Sequence, residues 1–306
     1  MKGGVCVLGS FMMDLVAYAP RRPELGETLK GTSFAIAPGG KGFNQAVAAS
    51  RAGAHTSMLG NLGRDTFGDT FLEVLTSEGI NAVGIERHAK IGTGVGFPVV
   101  SPGGDNSIII IPQSNDLADE EFVNRYAKLI QTSDVLLLQL ELPLSSTLTA
   151  ARIAKEAGVS VVLTPAPVTS VEVLDDFIGL VDILVPNQTE AAALATSKKD
   201  YKDQAEYLIK KFGCKGVVIT LGLHGAYVTD GLSSEVIPAP KVETVDAVGA
   251  GDTLCGYLSA QMALGKDLFE AARYAIYAAS LSATRAGAAL SVPLASEVTS
   301  FIKALA

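Results

Sequence analysis

Short apolar runs rich in Val, Ile and Leu recur along the chain at 5–10, 55–61, 134–140, 159–165, 181–187 and 215–222. They lack the polar alternation of a strand with one wet face, which predicts strands covered on both sides. Between them, apolar residues return at helical spacing near 42–53, 66–78, 117–131, 145–157, 200–212, 251–264 and 267–285. Strands alternating with helices predict an α/β fold on a doubly wound, mainly parallel sheet flanked by helices. In such sheets ligands gather beyond the carboxyl ends of the strands. Polar residues that directly follow the apolar runs therefore carry the chemical interest.

Two segments break this rhythm. About 15–37 holds short extended pieces around "RRPELGET", and 92–111 reads as two β runs joined by a Pro-Gly-Gly-Asp turn. Together they predict a small sheet projecting from the main body, either a plain surface hairpin or a lid over a site.

Composition narrows the function classes. With 306 residues, 48% of them hydrophobic, the chain has ample material for a core. A net charge of −8, no basic run and no Trp argue against nucleic-acid binding. The first apolar run ends at Asp14 without a cleavage-like segment, and no stretch approaches ~18 uninterrupted apolar residues. Neither a signal peptide nor a membrane span is expected, and the location expected is cytoplasmic. Cys6, Cys214 and Cys255 are few and far apart, so they read as buried thiols in a reducing compartment. His55, His88 and His224 are equally scattered, with no metal-ligand spacing.

No "GxxxxGK[ST]" is present and no GxGxxG follows the first run, which weakens P-loop and dinucleotide readings. Instead "PGGKGFNQAVAASRAG", 38–53, places Gly39 and Gly40 before a helix, with Lys41 and Asn44 as donors at its start. It is either a ligand-approaching loop or a plain strand–helix connection. "QLELP", 139–143, carries Glu141 at a strand tip, as an exposed cap or as an acceptor for a polyol. "VPNQTEA", 185–191, sets Asn187 and Glu190 three apart. They form either a capping box or polar groups near a hydrated Mg²⁺ ion. "VDAVGAGDTLCG", 245–256, feeds Val248, Gly249, Ala250 and Gly251 into a helix whose bare N–H groups and dipole suit an anion. Asp252 sits in that mouth, as a helix cap or as something more. Phosphoryl transfer to a hydroxyl needs N–H groups for the transferring charge and a base for the proton. The glycine loop supplies the first and Asp252 the second, provided the hydroxyl lies between them.

The order "GGKGxN", strand-end Glu, "PNxxE" and "VDxxGAGDT" resembles the ribokinase-like sugar kinases of the PfkB carbohydrate kinase family. The likeness runs from "VLGS" at 7–10 to "RAGAALSVP" at 285–293. It implies a single kinase domain over 1–306 whose β lid closes over the sugar and joins a homodimer. It implies transfer of the γ-phosphoryl of ATP to a sugar hydroxyl, O5 of D-ribose or 2-deoxy-D-ribose. Asp252 would be the base, with Gly249, Ala250 and Gly251 as anion hole. Met12, Asp14, Gly40, Lys41, Gly42, Phe43, Asn44 and Glu141 would surround the sugar. Asn187 and Glu190 would lie near the ATP phosphates and Mg²⁺. Thr220, Leu221, Gly222, Leu223, His224, Gly225 and Gly251 would follow the nucleotide, and Ile276 the adenine. An activating K⁺ would take ligands from Asp246, Val248, Ser282, Arg285, Gly287 and Ser291, largely through backbone carbonyls.

Several residues depart from the family pattern. Met12 stands where Asn is common and removes an amide donor and acceptor from the sugar site. A pocket without that amide is expected to favour 2-deoxyribose while still admitting ribose. Phe43 replaces a small residue and is expected to narrow the pocket. "PQSND", 112–116, stands in place of "GAN", and Thr164 in place of Asn. These changes at the sugar end keep another small sugar or a nucleoside as an alternative acceptor. A non-catalytic sugar sensor on the same fold has no need of Asp252 beside its glycine loop, and an oxidoreductase would need the absent GxGxxG.

Overall fold

A computed structural model describes residues 3–102, 106–168, 172–196, 198 and 200–305. Thirteen strands are found among them: β1 (Gly4–Leu8), β2 (Met12–Tyr18), β3 (Ser33–Gly39), β4 (His55–Gly63), β5 (Asn81–His88), β6 (Val95–Val100), β7 (Asn106–Ile111), β8 (Val135–Leu138), β9 (Ser160–Leu163), β10 (Ile183–Leu184), β11 (Gly216–Thr220), β12 (Ala226–Thr229) and β13 (Ser234–Ile237). The α-helices are α1 (Lys41–Arg51), α2 (Thr66–Ser77), α3 (Glu120–Arg125), α4 (Ala127–Gln131), α5 (Leu144–Glu156), α6 (Gln188–Leu194), α7 (Tyr201–Phe212), α8 (Ala250–Ala263), α9 (Leu268–Ser282) and α10 (Ala295–Leu305).

The main sheet runs β13-β12-β11-β10-β9-β8-β1-β4-β5, parallel from β11 to β5 with β12 and β13 antiparallel at one edge. The unbroken apolar runs follow from burial on two faces. In β1, Val5 and Val7 join a core layer with α1, α8 and α9, whereas Cys6 and Leu8 face a second layer with α5 and α7. In β8, Val135 and Leu137 point to the first layer and Leu136 and Leu138 to the second. Strand order reverses between β1 and β8, so the loops leaving these two strands open into one crevice.

The second sheet, β3-β2-β6-β7, is built from the two segments that interrupt the α/β rhythm. β2 pairs with β3 antiparallel and with β6 parallel, and β6 pairs with β7 antiparallel. It begins earlier than the sequence indicates, at Met12, which puts Met12 and Asp14 on the small sheet itself. Most of the turn expected between β6 and β7 lies, at 103–105, outside the described residues.

Other elements depart from the sequence expectation for local reasons. The helix expected over 117–131 divides into α3 and α4, because Asp119 caps Phe122 N–H and Tyr126 leaves helical geometry (φ −107°, ψ 13°). The strand expected over 181–187 keeps only Ile183–Leu184; Pro186 has no N–H for a ladder and Asn187 already caps α6. β5, β12, β13 and α10 have no counterpart among the sequence-predicted elements, whereas Asn187 caps α6 where the capping-box reading of "VPNQTEA" puts a helix start. No helix of the described residues is long and apolar enough to cross a membrane.

Candidate active site

The crevice between β1 and β8 is held together by Glu141, in the turn three residues beyond β8 rather than at its tip. Its Oε2 accepts a hydrogen bond from Ser10 Oγ and one from Lys41 N–H at 2.9 Å. The chain reaches Lys41 through Gly40, whose φ of 94° disfavours any side chain. A Cβ on Gly40 would also lie 2.8 Å from Met12 N and 2.9 Å from Ser10 O, so only glycine lets the small sheet meet α1 here. Gly42, two residues on in the first turn of α1, packs against Gly9. Asp14, on β2, faces the same crevice. Burial first, and then the charge of Glu141, push its carboxyl up to about 6.

Asp252 stands in the first turn of α8, one turn of chain beyond the Gly249 cap, whose φ is 77°. A Cβ on Gly249 would fall 2.7 Å from Ala288 Cα, so this loop too requires glycine. Asn44 Nδ2 donates to Asp252 Oδ2 and Gln45 Nε2 to Asp252 Oδ1, each at 3.0 Å. Burial raises the Asp252 pKa, and the Lys41 charge and the two amides oppose that rise. Lys41 is desolvated as well, yet Asp252, Glu141 and Glu190 around it hold its ammonium above the ordinary range. An amide-held carboxylate beside a fixed cation and a helix N-terminus can accept a proton while an anion is held close by.

Lys41, Asn187, Glu190, Gly249, Gly251 and Asp252 line one cleft with Thr164, Thr220 and Cys255. Ala250 does not join them: its N–H donates to Ala247 O at 3.2 Å. The expected three-residue anion hole is thus reduced to Gly249 and Gly251 on the cleft wall. Asn187 and Glu190 form a full capping box on α6: Asn187 Oδ1 accepts Glu190 N–H at 2.8 Å, and Glu190 accepts Asn187 N–H at 2.9 Å. Glu190 Oε1 also accepts Asn187 Nδ2 at 2.8 Å. Capping and cleft-lining therefore coexist in the same pair.

Thr220 continues the cleft, bridging to Asn187, and 222–224 form a short 3₁₀ turn closed by Leu221 N–H to Gly225 O at 2.8 Å. This turn leaves Leu223 79% exposed. Ile276, expected beside adenine, is instead buried in the apolar core and leaves almost no surface to a ligand.

Behind Gly249, Asp246 binds two loops at once. Its Oδ1 accepts Val248 N–H and its Oδ2 accepts Gly287 N–H, each at 3.0 Å. Asp246 N–H itself donates to Ala283 O, next to Ser282. Ser291 lies on the 3₁₀ turn Ala289–Ser291, its hydroxyl donating to Ala288 O. The Arg285 guanidinium is held by Glu297 at 2.6 Å, which leaves its backbone as the part available to a cation.

Phe43 does not narrow the crevice. Its ring is fully buried against Phe71 and Phe11, at centroid distances of 4.8 and 6.0 Å. Sequence reasoning overlooked Ser10, Gln45, Gln139 and the part played by Asn115. Asn115 Nδ2 donates to Phe11 O at 2.8 Å and Asn115 Oδ1 accepts Phe11 N–H at 2.9 Å. The same amide lies 3.9 Å from Met12 Sδ. The 112–116 segment and Met12, two departures from the family pattern, thus meet at one place. Thr164 donates to Cys255 Sγ at 3.1 Å, and burial pushes that thiol up to about 12.

The family model described as pfkB family carbohydrate kinase matches residues 2–295. The chain is 37% identical to a ribokinase of Haemophilus influenzae over 306 residues, 99% of each chain. It is 34% identical to a deoxyribokinase of Salmonella typhi over 294 residues, 94% of this chain and 95% of that one. Among solved structures, a ribokinase of Arabidopsis thaliana complexed with ribose and ATP superimposes with a TM-score of 0.90 at 30% identity, covering 99% of both chains.

Proposed function

The chain belongs to the pfkB family of carbohydrate kinases, and from that premise we propose that it transfers the γ-phosphoryl of ATP to O5 of ribose or 2-deoxyribose. The observation that carries this reading is Asp252, held on both oxygens by amides of α1 at the N-terminus of α8. Asp252 takes the hydroxyl proton as the oxygen attacks the phosphoryl group, and ADP leaves. Gly249 and Gly251 face the transferring charge, and the Lys41 ammonium offsets it. Asp14, Asn44 and Glu141 hold the sugar hydroxyls. The whole of 1–306 acts as one kinase domain, with the small sheet as its lid.

Asn187 and Glu190 fit a hydrated divalent ion, because their oxygens stand on the cleft wall and each keeps a lone pair beyond the cap to accept from a water ligand. When bound there, Mg²⁺ would supply charge neutralisation for the ATP phosphates. For the monovalent cation we keep Asp246, Val248, Ser282, Arg285, Gly287 and Ser291 as the proposed ligands of K⁺; the support is that Asp246 ties the Val248 and Gly287 loops together. Both pentoses are kept as acceptors because the relatives include a ribokinase and a deoxyribokinase. Met12 tilts the choice toward the deoxy sugar. Exposed Phe34, Phe97 and Ile109 on the small sheet suit a second copy of the chain. ADP release from Mg·ATP with each pentose, with and without K⁺, tests the reading.

A further inference from the structure

Two buried glutamines have no place in the mechanism so far. Gln45 is fully buried on α1, and Gln139, 2% exposed, follows β8. Gln139 Nε2 donates to Gln45 Oε1 at 2.6 Å, and Gln45 Nε2 donates to Asp252 Oδ1 at 3.0 Å. An apolar side chain would fill either position without desolvating an amide. We propose that Gln45, locked in place by Gln139, is the positioning residue for Asp252: it fixes Oδ1 and leaves Oδ2 as the oxygen that receives the sugar proton.

The orientation of the chain of amides supports this. An ionised carboxylate only accepts hydrogen bonds, so Gln45 must turn its NH₂ toward Asp252 and its carbonyl toward Gln139. Gln139 must then donate, and its own Oε1 is left without a partner among the described residues. The Asp252 charge thereby sets the direction of both amides. Gln45 has both ends engaged and cannot turn away. Asn44 differs: it donates to Asp252 Oδ2, while its own Oδ1 is buried with no partner among the described residues. That oxygen is suited to accept from a sugar hydroxyl, so Asn44 marks Oδ2 as the side on which substrate arrives. The two oxygens of one carboxylate thus have separate duties, one structural and one chemical.

This inference rests on Asp252 being the base, and the test separates the two. Gln45→Met and Gln139→Met keep side-chain length and remove the amides. Gln45→Met is expected to lower kcat about 10- to 100-fold with the sugar KM within about twofold, since orientation serves the transition state more than ground-state binding. Gln139→Met is expected to lower kcat by less, and the double variant to be no slower than Gln45→Met, because Gln139 acts only through Gln45. An unchanged kcat in Gln45→Met, a KM rise that accounts for the loss, or additive losses in the double variant would overturn the proposal. If Gln45→Met fails to fold, Gln139→Met decides alone: a kcat loss at constant KM supports the proposal, and wild-type kcat overturns it. Asp252→Asn run alongside tells which idea has failed. If it keeps wild-type turnover, the base assignment falls; if it is inactive while both Met variants are normal, only the positioning role falls.

Discussion

Asn44 and Asp252, 208 positions apart, share a 3.0 Å hydrogen bond between the first turns of α1 and α8. Helix α1 brings the amide donor to this bond and α8 the carboxylate acceptor. Joined, they set a proton acceptor where two helix dipoles and Lys41 favour negative charge, which answers why an acidic residue belongs in an anion site.

The Phe43 ring packs edge-on against Phe71 and near Phe11, away from the crevice. Phe43→Ala is expected to cost about 3–5 kcal/mol of stability, read from denaturant unfolding. The ratio of kcat/KM between ribose and 2-deoxyribose should stay the same. A changed ratio at unchanged stability would return Phe43 to the sugar pocket.

Asp14 carries the pH prediction. Its carboxyl is raised to about 6 by burial and by Glu141, and only the ionised form accepts from two sugar hydroxyls freely. The sugar KM should therefore rise as pH falls through about 6. The sign for stability is the opposite: a carboxyl raised in the fold binds its proton more readily there, so its unfavourable contribution is relieved as pH falls through the same window. Asp14→Asn should remove the pH dependence of KM while weakening binding at neutral pH. A KM that is flat between pH 5 and 7 in the wild-type enzyme would refute the assignment.

Met12 touches Asn115 through its sulfur, within the segment that departs from the family pattern. Met12→Asn is expected to raise the preference for ribose over 2-deoxyribose by about tenfold or more, because a site that hydrogen-bonds a hydroxyl rejects the analogue lacking it. Steady-state kinetics on both sugars measure this. An unchanged ratio would show that Met12 does not read the 2-position.

Strand β7 of the small sheet exposes Ile108, Ile109, Ile110 and Ile111, with Ile109 at 68%. If the proposed dimer forms through this face, Ile109→Glu should convert it to a monomer in sedimentation equilibrium, because a charge would be buried in the contact. A wild-type chain that sediments as a monomer at high concentration would remove the dimer from the account.

Much of the fold was legible because burial on both faces leaves a mark in sequence: "VLLL" in β8 and "SVVL" in β9 read as strands at sight. β5, "NAVGIERH", has one exposed face and polar ends, so its pattern is diluted. The start of α6 was legible as a capping box at Asn187 and Glu190, but its seven residues give too few turns to show a period. At the site, Asp252, Lys41, Asn44, Glu141, Asn187 and Glu190 were visible from glycine loops and strand ends. Gln45 and Gln139 were not, since their meaning depends on each other across 94 positions. A signal did exist: both are amides set in otherwise apolar stretches, "FNQAVAA" and "DVLLLQL". Phe43 was misread because its neighbours in the motif face the ligand, whereas the helix turns this one residue to the core.

The most direct test of the central claim is ADP release from Mg·ATP by the wild-type chain and by Asp252→Asn, with ribose and with 2-deoxyribose. The account predicts turnover on at least one pentose by the wild type. It predicts a fall in kcat of about 10²–10⁴-fold in the variant, with sugar binding by calorimetry largely kept. Wild-type-like turnover by Asp252→Asn would contradict the base assignment, and silence of the wild type on both pentoses would contradict the proposed substrate.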